Sequence, residues 1–141
     1  MPKKPDFEIL DHTADVGVRA WGKGPAEALR NASLGMLQLI YDPSTVKINE
    51  SREIEAVGRD WPSLLVAFLQ EVLYLVEAEG WAIRDLEMVE VSEYRARARL
   101  QGEDLDPERH LVSGEIKAPT YHMIKFEKDN DHWTAQVYFD V

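Results

Sequence analysis

Five consecutive residues, Asp11, His12, Thr13, Ala14 and Asp15, set two carboxylates, an imidazole and a hydroxyl between two apolar runs. Oxygen groups at that density suit a hard divalent cation, which takes carboxylate, carbonyl and water oxygens and needs only two or three anionic groups brought together from separate segments. The far end of the chain offers the rest. Tyr138, Phe139, Asp140 and Val141 close an apolar, strand-like run with a side-chain carboxylate and, at Val141, a terminal carboxylate that is anionic at neutral pH. We therefore expect Asp15, Asp140 and Val141 to meet around a divalent ion. Calcium, magnesium and manganese all suit such ligands, with calcium slightly favoured.

Each of these residues also has a more ordinary role. Asp11 can cap a turn by accepting backbone N–H groups, and His12 can be a hydrogen-bonded structural histidine. Lys117, between Ile116 and Ala118, reads as a surface lysine. The chain has no Gly-rich phosphate loop, nucleophile elbow, paired helical histidines or zinc-ligand spacing. Its lack of cysteine removes disulfides, thiolate metal sites and cysteine nucleophiles.

The elements that must position these groups follow from periodicity. Phe7 to Leu10 and Val16 to Trp21 read as short strands on either side of the polar knot. Pro25 opens a helix whose stripe is Leu29, Ala32, Ser33, Met36, Leu37 and Ile40, ending at Asp42-Pro43-Ser44. Val46 to Ile48 and Glu53 to Val57 alternate as a strand pair, with Asn49 to Arg52 as their turn. A second helix follows Gly58 to Pro62, buries Leu64, Leu65, Phe68, Leu69, Val72, Leu73 and Val76, and stops near Glu79-Gly80; Glu71 should lie on its wet face. Strands then run through Trp81 to Ile83, Leu86 to Val91 and Tyr94 to Leu100. In the last of these Arg95, Arg97 and Arg99 share one face, read as a solvated row paired with Glu87 or Glu90. Gln101 to His110 reads as a polar, mobile loop, and the chain closes on a hairpin with a long turn over Glu127 to Asp131.

With 141 residues, 45% of them apolar, the chain is one domain, 1–141. No apolar run reaches the roughly 18–20 residues needed to cross a bilayer, so no membrane role and a cytoplasmic location are expected. A formal charge of −10 argues against strong direct nucleic-acid binding, which needs clustered Lys and Arg, and favours either plain solubility or a basic partner.

The chain resembles an archease. The resemblance is carried by Leu10-Asp11-His12-Thr13-Ala14-Asp15-Val16, Ala20-Trp21-Gly22, Glu27-Ala28, Leu64-Leu65, Glu71-Val72-Leu73-Tyr74, Glu115-Ile116-Lys117-Ala118-Pro119-Thr120-Tyr121-His122 and the closing Phe139-Asp140-Val141. It implies a small α+β domain, here expected as a two-layer sandwich: a mainly antiparallel mixed β-sheet with two amphipathic helices packed on it. The implied role is that of a non-enzymatic cofactor of the GTP- and manganese-dependent RNA ligase of tRNA splicing, promoting its guanylylation and multiple turnover. Carried over by motif, Asp15, Asp140 and Val141 are metal ligands and Lys117 is a further functional residue; His12, Glu71 and His122 match without an assigned role. The chain departs from the family pattern at Lys23-Gly24-Pro25-Ala26, a helix start away from the site. Two other classes remain open: a metal-dependent phosphoesterase using Asp15, His12 and Asp140, and a chaperone-like modulator of a tRNA methyltransferase.

Overall fold

Helix α1, Pro25–Gln38, starts where a proline costs no hydrogen bond, after an extended Gly24, and buries Leu29, Ala32, Met36 and Leu37. Helix α2, Trp61–Glu77, starts on a capping box: the Asp60 carboxylate accepts the Ser63 N–H at 2.9 Å, and the Ser63 hydroxyl accepts the Asp60 N–H at 3.2 Å. Its apolar stripe is buried and Glu71 faces solvent, as expected. Past its end Gly80 takes the left-handed conformation, φ 61°. These details come from a computed structural model that describes residues 6–12 and 15–141, with only the backbone of Asp11 and His12. Thr13, Ala14 and the side chains of Asp11 and His12, half of the polar knot and both of its ordinary roles, lie outside the described residues.

Among the described residues eight strands accompany the two α-helices and a short 3-10 turn at Pro43–Thr45: β1 (Phe7–His12), β2 (Asp15–Gly22), β3 (Glu50–Val57), β4 (Trp81–Val91), β5 (Arg95–Asp104), β6 (Ala118–Pro119), β7 (Lys125–Asp129) and β8 (His132–Asp140). They form two antiparallel sheets. One runs β1-β2-β8-β6, with β7 also paired to β8; the other runs β3-β5-β4. Helix α1 packs on β2 and β8 and reaches β4, while α2 packs on β3, β4, β6 and β7, so the helices join both sheets around a single apolar core. The class is the expected α+β sandwich, its strands divided between two sheets. No helix among the described residues is long and apolar enough to cross a membrane.

Three local readings change. Residues 46–48 form no strand: β3 begins at Glu50 and pairs with β5, Ile54 opposite Ala98. The cause is a distant side chain, since the Lys47 N–H is taken by the Glu103 carboxylate at 2.7 Å and the Asn49 N–H by the Gly102 carbonyl at 3.1 Å. The polar stretch after Leu100 is anchored, with β5 extending to Asp104 and Glu103 and His110 buried. The last hairpin closes on two residues, because Asp129 pairs with His132 and Asn130 accepts φ 59°, a conformation asparagine tolerates well. The arginine row behaves as a solvated face: Arg95, Arg97 and Arg99 pair with Glu55, Glu90 and Glu53.

Candidate functional site

Register brings the two ends of the chain together. Strands β2 and β8 are antiparallel neighbours, with Gly17 opposite Tyr138 and Val16 opposite Phe139. Continued one step past that pair, the register brings Asp15, the first residue of β2, and Asp140, the last of β8, to the same end of the sheet. Side chains alternate along a strand, so Asp15, Gly17 and Arg19 share a face with Asp140, Tyr138 and Gln136. Val18, Ala20, Val137 and Phe139 take the other face and are buried in the core. Asp15 is half-buried; Asp140 and Val141 are exposed.

The other edge of β8 adds the lysine segment. Ala118 pairs with Asp140 and Pro119 with Phe139, and the Lys117 N–H donates to the Asp140 carbonyl at 2.8 Å. The exposed Lys117 side chain lines a groove of about 260 Å³ against α2, with Leu73, Tyr74, Glu77 and Pro119 among its walls. Partial desolvation, with the like charge of Glu115 nearby, raises the Glu77 carboxyl above its ordinary range. On the β1 side the backbone of His12 stands opposite Asp15. Asp15, Asp140, Val141 and the Lys117 backbone therefore belong to one end of one sheet.

Supporting residues to which the sequence reading gave no role surround that end. Gly17 leaves room for the Tyr138 ring: a Cβ there would lie 2.8 Å from ring Cδ1. His122 meets the same ring edge-on, centroids 5.7 Å apart. Both the N–H and the hydroxyl of Thr120 donate to the Tyr138 carbonyl, at 2.9 and 2.8 Å. Further along the face Arg19 binds Glu8 at 2.7 Å and Gln136 at 2.8 Å. The available signal was Gly17 itself, since a glycine inside a strand pattern marks a close approach.

The model of the Archease protein family (MTH1598/TM1083) matches residues 7–141. The chain belongs to the archease family. It is 40% identical to the archease of Pyrococcus abyssi, over 96% of this chain and 98% of that one. It is likewise 40% identical to the archease of Methanosarcina acetivorans, covering 96% and 95%. Among solved structures, protein 1598 of Methanobacterium thermoautotrophicum superposes with a TM-score of 0.79 at 30% identity, covering 96% of this chain and 99% of that one. A Thermotoga maritima structure described as an archease and possible chaperone shares the fold, with a TM-score of 0.60 at 24% identity and coverage of 100% and 98%.

This archease offers a hard cation a fitting but open donor set. Two aspartates share one face at one end of a ladder, and their oxygens are the right class for calcium, magnesium or manganese. Among the described residues no three His, Asp or Glu side chains converge as a metal cluster. An ion bound by Asp15 and Asp140 would need further oxygens from the Val141 carboxylate, backbone, water or a partner.

Proposed function

We propose that this archease activates the GTP-dependent RNA ligase of tRNA splicing, promoting its guanylylation and multiple turnover through an acidic, ion-bearing tip. The reading rests on one observation, the β2–β8 register that carries Asp15 and Asp140 to the same end of the sheet, in a chain matched to its family along residues 7–141. Asp15, Asp140 and the Val141 carboxylate would hold the divalent ion, with calcium slightly favoured. When bound, the ion would supply positive charge that offsets the negative charge of phosphate oxygens during nucleotidyl transfer.

The protein's own residues present that charge and do no bond-breaking. The β8 backbone fixes Asp140 between the Lys117 backbone and β2, so two carboxylates reach the partner together while the Lys117 side chain lies toward α2. The chain's charge of −10 suits a cationic partner and disfavours a grip on RNA itself. The protein works in the cytoplasm as a cofactor, with no membrane role.

The test is ligase turnover with GTP and manganese, with and without this protein. Wild type should raise both the guanylylated fraction and the product per ligase. Asp15→Ala and Asp140→Ala should each return turnover to the level of ligase alone with the melting temperature preserved. Full stimulation by either variant would refute the acidic tip. Hydrolysis of a generic phosphodiester by the isolated protein would replace the reading with a phosphoesterase.

A further inference from the structure

Between β6 and β7 the chain lies along the outer face of β8 as a short strap, residues 120–124, held at both ends. Thr120 donates twice to the Tyr138 carbonyl, and the Gln136 side-chain amide donates to the Met123 carbonyl at 2.8 Å. Inside the strap the His122 N–H reaches the Thr120 hydroxyl and the Ile124 N–H reaches the Tyr121 carbonyl, both at 3.3 Å. Met123 is forced to φ 51°, a left-handed conformation an unbranched side chain adopts only when its surroundings dictate it.

The strap covers Tyr138 and Gln136, both buried, and turns apolar side chains of its own outward. Tyr121 is 58% exposed and Met123 57%. Tyrosine and methionine are enriched in the cores of protein interfaces, where they supply large contact area. The strap is continuous with the aspartate end, since Thr120 and Tyr138 lie one short step along β6 and β8 from Ala118 and Asp140.

We propose that Tyr121 and Met123 form the apolar grip by which this protein docks on the rim of a basic, phosphate-binding cleft of the ligase, while the adjacent carboxylates enter the cleft. The inference rests on the activator reading and deepens it by separating docking from stimulation. Charge complementarity selects the occupant: an aspartate pair on a chain of net charge −10 repels another copy of itself and draws a cleft lined by Lys and Arg. A rigid strap also keeps the ordering cost of association low.

Ligase binding by titration calorimetry, with melting curves of each isolated variant, tests this. Tyr121→Ser and Met123→Ser should each weaken binding about tenfold or more, with calcium-dependent stabilisation of the free protein unchanged. Met123→Gly is the decisive variant. It removes the side chain but welcomes the positive φ, so its melting temperature should hold or rise while ligase affinity falls. Val57→Ser, at an equally exposed position at the end of β3, should bind as wild type. Wild-type affinity in both strap variants would overturn the grip and leave the activator reading standing, whereas failure of the wild-type protein to bind ligase would overturn both. Concentration-dependent dimerisation abolished by Tyr121→Ser would assign the strap to self-association and also overturn the proposal.

Discussion

Gly17 faces Tyr138 across the β2–β8 ladder, and a Cβ on Gly17 would stand 2.8 Å from both the ring and the Val137 carbonyl oxygen. The ring could turn, but the carbonyl belongs to the ladder and cannot. Gly17→Ala should therefore destabilise the fold by about 1–3 kcal/mol. Because the same contact lies next to the aspartate pair, it should also reduce the stabilisation gained on adding calcium. Urea denaturation with and without the ion reads both effects, and an unshifted midpoint would show that the strands separate easily.

Tyr41 closes the outer edge of β4 with one atom. Its hydroxyl accepts the Ile83 N–H at 2.7 Å and donates to the Ile83 carbonyl at 2.8 Å, in a site where all three groups are buried. Burial pushes the phenol well above its ordinary range, which keeps it protonated and able to donate. Tyr41→Phe preserves shape but strands a donor and an acceptor, and should cost roughly 2–4 kcal/mol by urea denaturation.

Glu103 should give the protein a distinct acid limb. The Arg109 guanidinium first, then the Lys47 N–H and His110, hold its carboxyl at about 2, down from an ordinary 4.5. His110 Nδ1 accepts the Asp106 N–H at 3.0 Å, so the ring proton sits on Nε2 and is directed at Glu103, 2.9 Å away. A carboxyl depressed in the folded state stabilises fully above the unfolded value, and that stability is lost as pH falls from about 4.5 toward 2. Glu103→Gln should lower stability at neutral pH and flatten the pH slope across that window. Parallel curves for variant and wild type would mean the carboxylate contributes nothing through its charge.

Asp15→Asn and Asp140→Asn test the ion without any ligase. With the proposed ion at about one hundred times its dissociation constant, linkage would give wild type roughly 2.7 kcal/mol of extra stability. Either amide should remove most of it and leave the ion-free melting curve close to wild type, as scanning calorimetry would record. Equal ion-induced shifts in all three proteins would place the ion elsewhere.

What could be read from the sequence was mostly local. Pro25, the stretch from Gly58 to Pro62 and Gly80 set helix ends through chemistry within a few residues, and the structure places those ends nearby. Residues 46–48 misled because their alternation was right for a strand while their backbone was claimed by Glu103, 56 residues away. Asp15 and Asp140 could be named as strand-end carboxylates, but only the pairing of β2 with β8 puts them on one face. Tyr138, His122 and the strap depend on β6 and β7 sharing one edge of β8, which neither composition nor periodicity encodes.

That shared strand has a kinetic consequence. β8 pairs with β2, β6 and β7, so the second strand and the last must find each other across almost the whole chain. Closing so long a loop is a slow, entropically opposed event. Asp15 and Asp140 therefore share one end of the sheet only once β8 has docked on β2, and a product truncated before β8 should lack the pair and fail to engage a partner.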